Sequence, residues 1–382
     1  MPRWNVDFNM RFEGQNPEVV KNVAMAHALS RVIRSIPITP DVRDKLDALN
    51  IMRAVRGTTG IEGIELSEDE VRQIMEASGK QHVLSSSRSR EEREVQNAQK
   101  VMSFVVNQLT EIPDTPLTES IIRKIHDITT KNINYPRNIP GRYRSHDVQA
   151  GTYLPPEASK VRGLMRDFID WFNNGSAASW DPIVRAFVAH FFVISIHPFG
   201  DGNGRTARGV ESFLLYKAGV NARGFYSLAN FFYRRRPEYV EILDHVRFET
   251  NGDLTPFVLF ALKGLVSELE EVHNEVLDNV KIIAYRDFAQ ERLRLTGKLG
   301  TSAGVRLLRF ISYISHGESV SLKSIRAGEH KLSALYGKMT AKTLSRDIQF
   351  LRHNELIIVN GDELRANLDI MTRYTPPFEI VA

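Results

Sequence analysis

One stretch of twelve residues, 197–208, combines the side-chain types that phosphate chemistry needs. It reads His-Pro-Phe-Gly-Asp-Gly-Asn-Gly-Arg-Thr-Ala-Arg. Glycines spaced one residue apart leave backbone N–H groups free to surround an anion, and the N-terminus of a following helix favours negative charge. Arg205 and Arg208 lie three apart, so on a helix both can contact one polyphosphate. Asp201 suits a hard cation such as Mg²⁺, and His197 can accept a proton. The stretch predicts phosphoryl or nucleotidyl transfer.

Other ligand-binding motifs fit this stretch less well. Gly202, Gly204 and Ala207 match the pattern G-x-G-x-x-A of dinucleotide-binding proteins, but residues 219–227 hold no acidic residue for the ribose. The sequence contains no Walker loop and no His-Glu-x-x-His motif. A calcium loop would need an oxygen ligand where Arg205 stands. A plain tight turn would explain the glycines but not the charged side chains around them.

The spacing of these residues resembles the signature of the Fic family. The resemblance implies a protein adenylyltransferase with ATP as substrate and Mg²⁺ as cofactor. It implies that His197 takes the proton of a Ser, Thr or Tyr hydroxyl, on a target protein or on the chain itself, while that oxygen attacks the α-phosphorus of ATP. AMP would be transferred and pyrophosphate would leave.

The same resemblance assigns the other positions of the motif. Asp201 would hold Mg²⁺ between the α- and β-phosphates. Asn203 would orient the α-phosphate, Arg205 would contact the β-phosphate region and Arg208 the γ-phosphate. Phe199, an apolar residue in a polar run, is expected to anchor the loop in the core. The nucleotide-binding residues implied in full are Gly202, Asn203, Gly204, Arg205, Arg208, Asn230 and Tyr233, the last two at the adenine pocket.

An upstream sequence, Thr-Thr-Gly-Ile-Glu-Gly at 58–63, resembles the family's inhibitory pattern. The resemblance implies that Glu62 pairs with Arg208 and keeps the γ-phosphate from its seat. A carboxylate binds a guanidinium in the same forked geometry as a phosphate, so the two compete for one partner. We expect Glu62→Gly to increase adenylylation. Because a glutamate beside a phosphodiester can also orient water, removal of AMP from a modified target is a second expected activity.

The composition is typical of a soluble globular protein. The chain has 382 residues, of which 42% are hydrophobic and 25% charged, and the formal net charge of +4 is weak support for nucleic-acid binding. The absence of cysteine excludes disulfides and zinc–thiolate sites. The first residues lack an apolar signal core, and no apolar run is long enough to cross a bilayer. We therefore expect a cytoplasmic protein with no membrane partner.

The elements that position the motif are predicted to be mostly helices. His190 stands on an apolar helix and is expected to be a hydrogen-bonded core residue, whereas His126 and His245 have no comparable neighbours in the sequence. Helical spacing of apolar residues predicts helices at 17–29, 39–56, 66–78, 88–109, 116–131, 158–172, 182–196 and 206–218.

Short β-like runs broken by glycine at 136–156 predict a hairpin instead of a helix. This hairpin resembles the family's flap, an edge that aligns the hydroxyl-bearing segment of a target by strand addition. The flap residues implied are Gly151, Thr152, Tyr153 and Leu154.

The last third of the chain predicts a second functional class. A long helical segment at 257–294 precedes three predicted helices, 305–314, 322–327 and 340–353, and a hairpin at 356–366 with an Asn-Gly turn. This order is typical of a winged helix, so a nucleotide-sensing DNA-binding regulator is the alternative function. Winged helices also serve as docking sites for proteins or as dimer contacts, so the sequence leaves DNA and protein open as partners of this domain. A homodimer also stays open.

The overall expectation is a mainly α fold, a Fic-type helical bundle with a short β-hairpin flap, followed by a small winged-helix (α+β) domain. The expected domains are 1–110 with the inhibitory motif, 111–295 as the catalytic domain, and 296–382 as the winged helix.

Overall fold

The computed structural model describes residues 3–371, apart from positions 7, 9, 78–81, 221–227, 317–318 and 338. The chain divides into two compact units, Met1–His273 and Asn274–Ala382. Among the described residues, no helix is both long enough and apolar enough to cross a membrane. The expected mainly helical fold is confirmed, while the division into three domains stays a prediction.

The first unit is built from helices in chain order. They are α1 Pro17–Ser35, α2 Pro40–Gly60, α3 Glu68–Ala77, α4 Ser89–Glu111, α5 Glu119–Thr130, α6 Val161–Asn174, α7 Pro182–Ile196, α8 Asn203–Lys217, α9 Leu228–Arg234 and α10 Arg236–Phe248. The next helix, α11 Thr255–Leu295, is continuous and contains the boundary between the two units.

Helix α7 is the central buried helix, as its apolar sequence predicts. Asp181 caps its N-terminus by accepting a hydrogen bond from the backbone N–H of Ile183 at 2.8 Å, and Pro182 occupies the first helical position. Its core position follows from a sequence that is apolar on nearly every face. His190, on this helix, is fully buried and bonded to Glu211 and Tyr239, which confirms its predicted role.

Helix α8 packs along α7 and begins three residues earlier than predicted. Gly202 adopts a left-handed conformation with φ of 73° and forms the N-cap, so the Asn203-Gly204-Arg205 segment is itself the first turn of the helix. Helices α2, α4 and α5 also pack against α8. The motif at 197–208 therefore begins where α7 ends and extends into the first turns of α8.

The flap segment is a hairpin reduced to one residue pair. Ala150 and Tyr153 exchange both backbone hydrogen bonds, at 3.0 and 2.9 Å, across a two-residue turn in which Gly151 has φ of 59°. Leu154 forms a parallel bridge with Arg3. The predicted turn is present, but it is shorter than a regular two-stranded ribbon.

The second unit contains three further helices and a small sheet. They are α12 Ser302–Ile314, α13 Leu322–Ala327 and α14 Ala341–His353, with strands β1 Val320–Ser321, β2 Ile357–Asn360 and β3 Glu363–Ala366. The strands pair antiparallel in the order β1-β3-β2. The predicted hairpin is present, but its two loop residues are Gly361 and Asp362, one position beyond the expected Asn-Gly pair. Assignment of this unit as a winged helix, and DNA binding through it, stay predictions.

Candidate active site

The loop between α7 and α8 is held in one shape by buried contacts. His197 ends α7 in a left-handed conformation with φ of 54°. The Asn203 amide closes the loop, because its Oδ1 accepts from the Phe199 N–H at 2.9 Å and its Nδ2 donates to the Phe199 carbonyl at 3.0 Å. The Phe199 ring is fully buried and stacks on His126 at 3.7 Å between centroids. The Asn203 side chain thus shapes the loop, and its contact with the α-phosphate stays a prediction.

The His197 side chain is oriented as a proton acceptor. Its Nδ1 lies 3.1 Å from the carbonyl oxygen of Ile194, so this nitrogen carries the proton and donates it. That tautomer leaves the lone pair of Nε2 for a substrate. Burial lowers the pKa of His197 to about 4, and the charges of Arg247 and Arg144 act in the same direction. The imidazole is therefore neutral at pH 7, as a general base must be.

The first turn of α8 provides an anion seat. The first N–H groups of a helix have no intrahelical carbonyl partner, and the helix dipole adds positive potential there. Space at this seat is small, since a Cβ on Gly202 would lie 2.7 Å from Thr130 Cγ2, and a Cβ on Gly204 would lie 2.5 Å from Glu62 Oε1. Only glycine lets a ligand, or Glu62, come this close to the backbone.

Glu62 occupies the neighbourhood of this seat and contacts Arg208. One guanidinium nitrogen, Nη2, donates to Glu62 Oε1 at 2.6 Å and to the Thr58 carbonyl at 3.0 Å, and Nε donates to Thr58 Oγ1 at 2.8 Å. The Arg208 side chain is 3% exposed, whereas that of Glu62 is 33% exposed. Burial by itself would raise the pKa of Glu62, but Arg208 and Arg205 lower it below its usual value. The carboxylate is thus ionised and paired.

Arg205 has a different and fully internal partner. It donates to Glu94 Oε2 on α4 and to the Tyr135 hydroxyl, and Tyr135 donates in turn to Glu94 Oε1 at 2.6 Å. Its Nη2 also reaches Asp201 Oδ1 at 3.3 Å. The neighbouring carboxylates raise the pKa of Arg205 despite its burial, so the guanidinium keeps its charge.

Asp201 is suited to hold a divalent cation together with substrate phosphates. Its Oδ1 accepts from the Gly202 N–H at 2.5 Å and from Arg205, and 41% of its side chain is exposed, which leaves Oδ2 for a ligand. Mg²⁺ is commonly bound by one or two carboxylates plus phosphate and water. Within the described residues no cluster of three or more potential metal ligands occurs, so the phosphates would have to complete the site.

His197, Gly204, Glu62 and Arg208 all line one cleft of about 620 Å³. The flap turn at 150–153 also lines this cleft, and so does α10, through Arg236, Pro237, Tyr239, Val240, Leu243, Asp244 and Arg247.

The two residues implied at the adenine pocket, Asn230 and Tyr233, do not line this cleft. Asn230 packs with its backbone against Gly57 of α2 and donates to Glu268 at 3.3 Å, while the Tyr233 ring covers Gly60. Both residues hold α9 against the helix that precedes Glu62. Helix α10, and not α9, contributes residues to the lining of this cleft.

Two residues that support the site were not identified from the sequence. His126 donates through Nε2 to the Asp201 carbonyl at 3.0 Å and accepts from the Gly141 N–H at 3.0 Å. It therefore contacts the motif, although its neighbours in the sequence did not indicate a role there. Arg144 is 5% exposed; its Nε donates to the His197 carbonyl at 2.8 Å, and its Nη2 donates to the Pro156 carbonyl at 2.5 Å. His126 lies four residues after Ile122 on the apolar face of α5, a signal of burial that the sequence does contain.

Comparison with known proteins agrees with this geometry. Residues 116–215 match the model of the Fic/DOC family, so the chain contains a Fic domain. It is 36% identical over 123 residues to the protein adenylyltransferase fic-1 of Caenorhabditis elegans, covering 32% of this chain and 22% of that protein. It is 32% identical over 153 residues to the protein adenylyltransferase Fic of Drosophila melanogaster, covering 38% of this chain and 29% of that protein. The chain thus spans less than a third of the length of these relatives.

Solved structures show the same fold over a larger part of the chain. A Fic family protein from Desulfovibrio desulfuricans G20 superposes with a TM-score of 0.56 at 19% identity, covering 96% of this chain and 98% of that one. Fic-1 (aa134–508) from C. elegans superposes with a TM-score of 0.54 at 27% identity, covering 66% of this chain and 71% of that one. The first of these likenesses concerns the fold alone.

Proposed function

We propose that the first unit transfers AMP from ATP to a Ser, Thr or Tyr hydroxyl of a target protein or of the chain itself. The observation that carries the proposal is that neutral His197, the glycine-flanked first turn of α8 and Arg208 face one cleft. A base, an anion seat and a fixed cation are what an attack of a hydroxyl on a phosphate needs. The names of the matching relatives agree with this activity.

The proposed reaction balances with the groups in the cleft. The hydroxyl oxygen attacks the α-phosphorus of ATP, its proton passes to His197 Nε2, and the bond from the α-phosphorus to the oxygen bridging the β-phosphate breaks. AMP remains on the hydroxyl and pyrophosphate leaves. Bound Mg²⁺ at Asp201 would supply charge neutralisation for the phosphates. The N–H groups of α8 and Arg208 would hold the polyphosphate, and Arg205, fixed by Glu94, would contact the β-phosphate region.

The proposed restraint is occupation of a phosphate partner by Glu62. The carboxylate accepts one hydrogen bond, from Arg208 Nη2, and lies beside Gly204 in the first turn of α8. The γ-phosphate would need the same guanidinium, and two like charges at this distance repel each other. The turn that carries Glu62 must therefore move before ATP takes its productive position.

The proposal is tested by labelling with α-labelled ATP and Mg²⁺. We expect Glu62→Gly to raise labelling of protein at least tenfold over wild type, and His197→Ala in the same background to abolish it. Glu65→Gly is the matched control, since Glu65 is an exposed glutamate three residues further along. Equal labelling of the Glu62 and Glu65 variants would refute the restraint. Labelling that survives His197→Ala would refute the mechanism.

A second candidate activity is removal of AMP from a modified target. The observation that favours it is that the Glu62 carboxylate lines the same cleft as His197, where it can orient a water toward a phosphodiester. We expect wild type to release AMP from protein previously labelled by Glu62→Gly, and Glu62→Gly not to do so. Release of AMP at the same rate by wild type and by Glu62→Gly would refute a role of Glu62 in this second activity.

A further inference from the structure

A third arginine, Arg247, enters the cleft from α10. Its guanidinium lies over the ring of Tyr153, 4.0 Å from the ring centroid. Its Nε donates to Ser195 Oγ at 2.9 Å, and Nη1 donates to Asp244 Oδ1 at 2.8 Å. Its side chain is only 5% exposed although it lines the cleft. Arg247 is therefore fixed by contacts on three elements.

Tyr153 is the flap residue that these contacts hold. Its backbone pairs with Ala150 across the turn, and its hydroxyl donates to the Ser195 carbonyl at 2.5 Å. Phe248, which follows Arg247, packs on the same ring at 6.2 Å between centroids. The ring is thus held by Ser195, Arg247 and Phe248, while Gly151 and Thr152 beside it stay exposed.

Ser195 connects Arg247 and Tyr153 to the segment of α7 that leads into His197. It lies in the last turn of α7, two residues before His197, and it receives one hydrogen bond from Arg247 and one from Tyr153. The flap and α10 therefore meet at the segment of α7 that presents His197.

We propose that Arg247 is a positioning residue of this site, which fastens the flap to the end of α7 and so fixes the register between a target segment lying along the flap and His197. The catalytic consequence rests on the proposed function. The attachment of the flap does not, because it is a property of the chain without substrate.

A purely space-filling role does not account for a cation here. Burying a guanidinium is costly unless its charge and N–H groups are matched, and an apolar side chain would fill the same space at lower cost. Arg247 instead matches its charge with Asp244 and the face of an aromatic ring, a contact that persists when desolvated. The charged guanidinium of Arg247 therefore contacts both Tyr153 and Ser195, and so links α10 to the flap and to α7.

The charge of Arg247 also acts on His197. Among the described residues, the charged groups with the largest influence on this histidine are Arg247 from α10, Arg144 from the segment before the flap, and Glu62 from the turn after α2. Arg208, Arg236 and Asp244 line the same cleft. After burial, which is the main cause, Arg247 and Arg144 lower the pKa of His197 and Glu62 raises it. Loss of Arg247 should therefore raise this pKa, whereas Arg247→Lys should leave it nearly unchanged.

The attachment is tested by hydrogen exchange of the backbone amides at 148–156. In Arg247→Met we expect the Tyr153 amide to exchange about tenfold faster than in wild type, since local opening of the flap becomes easier. Arg247→Lys should give a smaller rise in the exchange rate of the Tyr153 amide, because lysine keeps the positive charge but lacks the several N–H donors of the guanidinium. The matched control is Arg185→Met, which removes another arginine stacked on a ring, that of Phe172 at 4.5 Å. Unchanged exchange in Arg247→Met, or an equal rise in the control, would overturn the inference.

The effect on catalysis is read from the pH profile of self-labelling with α-labelled ATP in the Glu62→Gly background. We expect Arg247→Met to label about tenfold more slowly and its acid limb to move to higher pH, with less than a twofold change in ATP affinity. Arg247→Lys should also label more slowly, but the acid limb of its pH profile should stay where it is in the Glu62→Gly parent. An unmoved limb in Arg247→Met would contradict the role at His197. Absence of labelling in the Glu62→Gly parent would count against the proposed function, and the exchange result alone would then decide whether Arg247 holds the flap.

Discussion

The two arginines of the motif lie on one helix but have partners of opposite character. Arg205 is bound to Glu94 and Tyr135, and all three side chains are buried. Arg208 is equally buried, but its acidic partner Glu62 is 33% exposed and lies in a turn. Glu94 cannot leave without breaking a hydrogen-bonded interior, whereas Glu62 can leave by movement of a short surface segment. A fixed charge pair and a releasable one thus stand side by side.

The same contrast separates the segments to which these contacts belong. The loop at 197–203 is closed by the two hydrogen bonds of Asn203 and by the stacking of Phe199 on His126. The turn at 61–63 is held by the Glu62–Arg208 contact, by Arg236, which donates to the Ile61 carbonyl at 2.8 Å, and by backbone hydrogen bonds to the last turn of α2. The loop at 197–203 is therefore fixed by buried side chains, whereas the turn at 61–63 is fixed by the end of α2 and by two arginine contacts.

The largest effect should come from breaking the rigid loop. Phe199→Ala removes a fully buried ring, and we expect the free energy of unfolding of the first unit to fall by about 4 kcal/mol. Urea unfolding followed by tryptophan fluorescence measures this unit, since the three tryptophans, Trp4, Trp171 and Trp180, all belong to it. Phe248→Ala, at a ring that is 39% exposed, is the control and should cost much less. Equal losses would mean that the loop is not anchored by Phe199.

Removing the charge of Glu94 and that of Glu62 in separate variants tests whether one pair is fixed and the other releasable. Glu94→Gln leaves Arg205 as a buried charge without its partner, and we expect a loss of about 3 kcal/mol and no gain in labelling. Glu62→Gln should change stability by less than about 1 kcal/mol, because the pair is partly solvated, and should raise labelling about tenfold. Unfolding and labelling measured on the same preparations decide this. A gain in labelling from Glu94→Gln would mean that both pairs are releasable.

A third effect concerns the pH dependence of stability. Burial lowers the pKa of His126 to about 4, against 6.5 for a free histidine. Below pH 6.5 the unfolded chain binds a proton that the folded chain refuses, so stability falls as pH drops from about 6.5 to 4. We expect His126 to add about 1 kcal/mol per pH unit to this fall. His126→Gln should reduce the slope, measured by urea unfolding at several pH values.

The smallest effect should come from straining the turn that carries Glu62. Gly63 has φ of 92° with open space around its Cα, so Gly63→Ala adds backbone strain and no clash. We expect the restrained turn to lose about 1 kcal/mol, which raises labelling about fivefold. Gly297→Ala is the matched control, since Gly297 has φ of 69°, equally open space and a position in the second unit. A similar gain in the control would exclude an effect through the turn.

The sequence predicts the parts of this site that are local. The residues of 197–208 lie close together in the chain, and the Glu62–Arg208 contact follows from a resemblance that already pairs them. Helix α7 follows from its all-round apolar pattern. These features depend on neighbours a few positions away or on a motif that carries its own geometry.

The parts that the sequence did not predict depend on contacts between distant segments. His126 meets the Asp201 carbonyl across 75 positions, and Arg144 meets His197 across 53. Arg247 reaches Ser195 across 52 positions. Asn230 and Tyr233 were expected at the adenine pocket from the family resemblance, but the glycines of α2 let α9 pack against that helix. No periodicity in a single sequence specifies which faces of two helices meet.

Gly204 limits the routes by which mutation could free this site from its restraint. A methyl group there would lie 2.5 Å from Glu62 Oε1 and 3.2 Å from Arg208 Nη1, so it would act as a wedge against the turn. The same methyl would stand on the floor that the polyphosphate is proposed to use. Enlarging position 204 thus expels the inhibitor and the substrate together, and permanently active variants should arise from changes in the turn at 61–63, not in the helix that it blocks.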